Sequence, residues 1–143
     1  MIIKLKERRH IVLINVDFDG VIIPNTHEEF LFRKIKEKGW SFMDNSPVWD
    51  WYEKVVCNPL QLNIPFLMFL NRLKERKHYI RLWTNRAYTL KEFTVNNLGE
   101  YASIFDSFHF YNGCKSTSQV EGMVIDNSLQ YLSCGEVGIH YKS

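Results

Sequence analysis

The sequence predicts an α/β fold: a single Rossmann-like domain with an open, mostly parallel sheet and helices on both faces. Three observations predict it. A short apolar run at 11–16 ends abruptly in Asp17-Phe18-Asp19-Gly20, as a buried strand does on reaching a sheet edge. Strand-like and helix-like segments then alternate, the pattern of βαβ units. Lastly, runs beginning at 11, 79 and 122 each finish on polar residues, Asp17/Asp19, Thr84/Asn85 and Asp126/Asn127. Right-handed crossovers put these runs near the sheet centre. The carboxyl ends of such strands are where ligands bind in α/β folds.

Each element has its own justification. Residues 2–5 read as a short strand and 11–17 as the first core strand. Residues 26–38 set Phe30, Leu31 and Ile35 among charges, an amphipathic helix with Thr26 and Glu29 at capping-box spacing. The pattern fails over 40–59: Pro47 and Pro59 punctuate a stretch crowded with Trp40, Phe42, Trp49, Trp51 and Tyr52. It reads as a flap-like insertion packed over the sheet edge. Residues 65–77 place Phe66, Phe69, Leu70 and Leu73 at helical spacing. A strand follows at 79–83, then a helix at 89–98 closed by Gly99. Further strands are predicted at 105–111, 123–125 and 138–141. No repeat, low-complexity tract or linker interrupts 1–143, so the chain reads as one domain.

Composition narrows the function classes. The 143 residues can bury a core without disulfides, and 45% hydrophobic with 24% charged residues is ordinary for a globular chain. A net charge of +2 is too small to argue for nucleic acid or a membrane surface. Lys74, Arg76 and Lys77 cluster at a predicted helix end, where cations suit the helix dipole. Cys57, Cys114 and Cys134 are scattered without metal-ligand spacing and fit reduced thiols in a cytoplasmic protein. The apolar run after the early charges is too short for a signal segment or a membrane span.

The polar strand ends suggest a chemistry. Two carboxylates gathered at a strand mouth repel each other unless a cation or a shared proton relieves them. With a divalent cation offsetting that repulsion, a carboxylate can attack phosphorus; Asp17 is placed to do so and to form an aspartyl-phosphate. Asp19 suits a general acid that protonates the leaving oxygen and then deprotonates water. Asp126, Asp17 and a main-chain carbonyl supply the hard oxygen ligands that Mg²⁺ prefers. Thr84 offers a hydroxyl and, with Asn85, a polar strand end to phosphoryl oxygens. Lys115, in the loop before the strand at 123, can neutralise charge on nucleophile and phosphoryl group. Each has a plainer reading: solvated turn acids for Asp17 and Asp19, an ordinary strand end for Thr84, a solvent-facing lysine for Lys115, a cap for Asp126. Asp44-Asn45-Ser46 repeats the tripeptide at 126–128 without a strand before it and reads as an Asx-type turn. Asn25, His27 and Arg86 are candidates for lining the mouth.

Asp17-Phe18-Asp19-Gly20, Thr84, Lys115 and Asp126, in that order, resemble the four motifs of the haloacid dehalogenase-like (HAD) superfamily. The resemblance spans residue 11 to about 130. Leu82-Trp83-Thr84-Asn85-Arg86 is similar to small bacterial or phage-type HAD phosphatases, and Ile125-Asp126-Asn127-Ser128 to the fourth motif of C-terminal-domain-type protein phosphatases. It implies Asp17 as nucleophile and metal ligand, and Asp19 as acid/base through its side chain and metal ligand through its main-chain oxygen. It further implies Thr84 and Lys115 on the phosphoryl group and Asp126 on Mg²⁺. A second aspartate at Asp19 points to phosphatase or phosphotransferase activity rather than dehalogenation. Asn127 stands where many members have another acid, and Val21 where threonine is common.

The intervals between motifs leave no room for a full cap domain, so the mouth is expected to be open, covered at most by 40–52. Resemblance to capless relatives implies bulky substrates, such as a phosphoprotein or a nucleic-acid end, or a cap supplied by another subunit. Tryptophans around 49–51 invite self-association. The expected function is Mg²⁺-dependent hydrolysis of phosphomonoesters through phospho-Asp17. Its rivals are a HAD-fold binding or regulatory module with weak or lost activity, and a nucleic-acid-end phosphatase.

Overall fold

The computed structural model describes residues 11–39, 52, 54, 61–111 and 114–143. Among these, β1 (Leu13–Val16) leads to α1 (Asn25–Lys38), α2 (Ile64–Glu75) and β2 (Tyr79–Thr84). Then come α3 (Lys91–Leu98), β3 (Ser107–Phe110), β4 (Met123–Asp126) and β5 (Val137–His140). The five strands form one sheet in the order β3-β2-β1-β4-β5, every pairing parallel. The three runs expected at the centre are its three middle strands. Chain direction across the sheet reverses beside β1, and such a switch point leaves a crevice at the carboxyl ends.

Alternation divides the sheet between two cores. Ile14, Val16, Ile80, Leu82 and Ile125 are buried in the larger one with Leu31 of α1 and Phe66, Leu67 and Leu70 of α2. Trp83 and Val124 are buried in the smaller one with Cys134, and Tyr131 and Leu132 pack against it from the 3₁₀-helix Leu129–Cys134. Helical elements thus supply residues to both cores. Asn15 is buried inside β1, where its Nδ2 donates to the carbonyls of Glu121 at 2.9 Å and Met123 at 3.0 Å. It ties the central strand to the approach of β4.

Element ends show which local forces prevail. The capping box expected from Thr26 and Glu29 is not formed. Helix α1 begins at Asn25 behind Pro24, with no side-chain cap, so Thr26 already lies inside the helix. Glu29 instead accepts from Asn25 Nδ2 at 3.2 Å. Gly39, at φ 66°, closes α1. Helix α2 is capped by Asn63, whose side chain accepts the Phe66 amide at 3.1 Å, with Pro65 in the first turn. It stops at Glu75, short of the expected 77, and Lys77 beyond it turns left-handed at φ 73°. The expected helix at 89–98 is split into a 3₁₀ turn, Tyr88–Leu90, and α3. The third strand, Ser107–Phe110, is shorter than the expected 105–111: Phe105 caps the 3₁₀-helix Gly99–Ile104, while the Asp106 and Tyr111 amides still reach the Ile80 and Thr84 carbonyls at 2.7 and 2.9 Å.

The strand expected at 2–5 lies outside the described residues, as does the 40–59 segment apart from Tyr52 and Lys54. Among the described residues no helix is long and apolar enough to cross a membrane.

Candidate active site

The site begins where β1 ends. Asp17 still pairs as a strand residue, its amide donating to the Ile125 carbonyl at 3.0 Å. The chain then winds around the carbonyl of Phe18, which accepts the amides of Val21, Ile22 and Ile23 at 3.3, 2.9 and 3.2 Å. Gly20 makes this turn at φ 87°, and a Cβ there would stand 2.1 Å from Asn127 Nδ2. The positive φ calls for glycine, and any Cβ would also push the Asn127 amide aside. Over that gap Asn127 Nδ2 donates to Asn25 Oδ1 at 2.7 Å, joining the loop after β4 to the start of α1.

Register then selects the neighbours of Asp17. Val16 pairs with Leu82 on one side and Ile125 on the other, so one further step sets Trp83, Asp17 and Asp126 abreast on adjoining strands. Lys115, at the head of the 3₁₀ turn Lys115–Thr117, reaches into this row. Its Nζ donates to Asp17 Oδ1 at 3.0 Å and to Asp126 Oδ2 at 2.5 Å. Asp126 Oδ1 accepts the Ser128 amide at 2.9 Å. Lys115 is only 1% exposed. Burial pulls its pKa down, the two carboxylates pull it up more strongly, and the ammonium is held above its ordinary value. Asn85 steadies the lysine: its Oδ1 accepts the Lys115 amide and its Nδ2 donates to the Tyr131 hydroxyl, each at 2.8 Å.

Asp19 belongs to a second cluster. Arg86 grips both its oxygens, Nε to Oδ2 at 3.0 Å and Nη2 to Oδ1 at 2.9 Å, and the Tyr52 hydroxyl adds a bond to Oδ1 at 2.8 Å. The guanidinium is buried. It stacks over Phe18 at 4.5 Å and Tyr52 at 5.5 Å, and its Nη1 donates to Thr94 Oγ1 at 3.0 Å.

A cavity of about 380 Å³ opens on these groups, lined by Asp17, Asp19, Asn85, Lys115, Asn127 and Tyr131, with Asn25, Phe32 and Lys142 also in its wall. The structure therefore unites Asp17, Lys115 and Asp126 directly and brings Asp19 and Asn85 to the same cavity. Thr84, at the end of β2, is fully buried, does not line the cavity, and its hydroxyl accepts the Arg86 amide at 3.1 Å. Arg86 holds Asp19 rather than lining the mouth. His27 does not line the cavity either; burial lowers its pKa against the opposing charge of Asp19. Sequence reasoning assigned no site role to Trp83 or Tyr131, and placed Tyr52 only in the 40–52 segment that could cover the mouth. Nothing local marks them, because tertiary packing brings them to the acids.

Among the described residues no group of three or more His, Cys, Asp or Glu side chains converges on a metal position. Asp17 and Asp126 do converge on one cationic centre, the Lys115 ammonium. Asn127, an amide, could offer a cation only its side-chain oxygen, its Nδ2 being a donor that is given to Asn25. Carboxylate oxygens are the hard donors that Mg²⁺ takes, so Asp17 and Asp126 fit that ion in chemistry, with the Lys115 ammonium already offsetting one of their two charges. Compared with known families, curated proteins and solved structures, the chain has no significant match.

Proposed function

We propose that this chain is a phosphomonoester hydrolase of the HAD type, using Asp17 as nucleophile and Mg²⁺ as cofactor. The observation behind this reading is the buried Asp17–Lys115–Asp126 row at the carboxyl ends of the central strands, beside a cavity. In the first step an Asp17 carboxylate oxygen bonds to phosphorus as the bond to the leaving oxygen breaks, and Asp19, having taken a proton from solvent and released one of its Arg86 bonds, gives that oxygen the proton. In the second, water attacks phosphorus, Asp19 takes its proton, and phosphate leaves Asp17 regenerated. Lys115 orients Asp17 through its bond to Oδ1 and offsets negative charge as the two anions approach. Asp17, Asp126 and the Asp19 main-chain oxygen would hold Mg²⁺, which would supply further positive charge to the phosphoryl oxygens. The substrate class is a phosphomonoester, and the resemblance to capless relatives suits a macromolecular one. The scattered thiols suit a cytoplasmic setting.

The Arg86 grip on Asp19 favours a second reading. A carboxyl whose two oxygens are held by Arg86 and Tyr52 must release one before it can serve a leaving group. A scaffold that binds phosphorylated ligands with little turnover is compatible with that restraint. Hydrolysis of para-nitrophenyl phosphate with and without Mg²⁺, in the wild type and Asp17→Asn, separates the two. Mg²⁺-stimulated release lost in the variant supports the enzyme. Absence of release from the wild type, with phosphate binding retained, supports the module. Equal turnover in the variant removes Asp17 as nucleophile.

A further inference from the structure

Lys115 does more than meet two acids. Its Nζ lies 4.1 Å from the centroid of the Trp83 ring and 4.9 Å from that of Tyr131. Both are within cation–π range, and the burial of lysine and indole removes the water that weakens such contacts. The rings meet edge to face, 6.4 Å apart at 87°, and Tyr111 braces Trp83 at 6.2 Å and 76°. Tyr131 is fastened through its hydroxyl to Asn85, the residue that also accepts the Lys115 amide. Ring, amide and ammonium are therefore set by one network.

The indole adds a separate observation. A buried tryptophan usually finds a partner for its N–H, yet Trp83 Nε1 is buried with no hydrogen-bond partner among the described residues. Phenylalanine or leucine would fill an apolar core there without stranding a donor. What tryptophan offers in exchange is the aromatic face that binds cations best. Its position abreast of Asp17 and Asp126 turns that face to the ammonium the two acids share.

We propose that Trp83 and Tyr131 are positioning residues, an aromatic seat that holds the Lys115 ammonium between Asp17 and Asp126. A lysine head is a compact charge on a flexible stem with three rotatable donors. Hydrogen bonds to two acids leave it free to slide toward either; the rings close off that freedom. The catalytic consequence rests on the reading of Asp17 as nucleophile, but the seat has its own physical readout.

Protons above an aromatic face resonate upfield. In lysine-labelled protein, with Lys115 assigned through Lys115→Arg, its ε-methylene signals are expected upfield of those of the other lysines. Trp83→Leu is expected to return them toward ordinary positions and Trp83→Phe to do so only in part. Tyr131→Leu makes the same comparison at a half-buried position if Trp83→Leu does not fold, and Tyr131→Phe separates the ring from the hydroxyl. In para-nitrophenyl phosphate hydrolysis the leucine variants should lose about tenfold in kcat with KM nearly unchanged, and the phenylalanine variants should recover most of it. Ordinary Lys115 shifts in the wild type, or folded leucine variants with wild-type shifts, would overturn the seat. Upfield shifts lost in the leucine variants, with no hydrolysis by any form, support the seat and sink the hydrolase reading.

Discussion

Replacing Lys115 with methionine tests whether the acid row depends on its cation. The side chain is 1% exposed and its ammonium bonds to Asp17 and Asp126, themselves 6% and 0% exposed. Methionine fills a similar volume but leaves two buried acids facing each other without a counter-charge. Removing one partner of a buried ion pair costs about 3–5 kcal/mol, against about 0–1 for an exposed pair. In a domain of this length each kcal/mol moves Tm by roughly 2–4 °C, so Lys115→Met should lower Tm by roughly 6–20 °C. Urea unfolding at pH 7, followed by circular dichroism, should give the matching loss with an unchanged m-value. Because Asp17 and Asp126 are then left to find another cation, Mg²⁺ should raise the variant's Tm more than the wild type's. A variant within about 1 kcal/mol of wild type would mean that solvent already screens the row, and the electrostatic argument for the site would fail.

Other outcomes follow from the same geometry. Burial depresses the Lys115 pKa and its two carboxylates more than restore it, leaving the folded value above the ordinary 10.5. Its stabilising contribution should therefore be complete below about pH 10.5 and fade as pH rises through the folded value, which alkaline unfolding of wild type and Lys115→Met would reveal. Gly20→Ala should destabilise by about 1–3 kcal/mol in urea, since alanine would meet both φ 87° and the Asn127 amide. Asp17→Asn should abolish aryl phosphate hydrolysis while leaving the circular dichroism spectrum intact. Asn85→Ala should slow hydrolysis through Lys115 and Tyr131, and Asn85→Gln should not restore it, because the longer amide cannot meet both partners at 2.8 Å.

Much of the fold is written in local patterns. Apolar runs of strand length, helical spacing at Phe66 and Leu70, and punctuation by Gly39 and Gly99 depend on neighbours a few positions apart. A one-dimensional reading recovers these well. One local error arises where a residue overrides a motif: Pro24 moves the start of α1 and so leaves Thr26 unable to cap.

The site divides along a similar line. Asp17, Asp19, Asn85, Lys115 and Asp126 stand out because charge or amide follows an apolar run, or precedes one at short spacing, and the structure brings all of them to one row or one cavity. Thr84 stands out by the same rule, yet its hydroxyl is turned to the Arg86 amide. The Asp-x-Asp spacing suggests a pair acting together, whereas the turn at Gly20 sends Asp17 to Lys115 and Asp19 to Arg86.

By itself, then, the sequence determined the order of strands and helices and the polar identity of the residues at their ends, because backbone propensity and burial period are properties of short segments. Which side chains meet was decided only in the tertiary structure. The register of three parallel strands sets Trp83 beside Asp17, and the 3₁₀-helix Leu129–Cys134 carries Tyr131 to Lys115. Such contacts join residues far apart in the chain, and no local pattern encodes the distance between them.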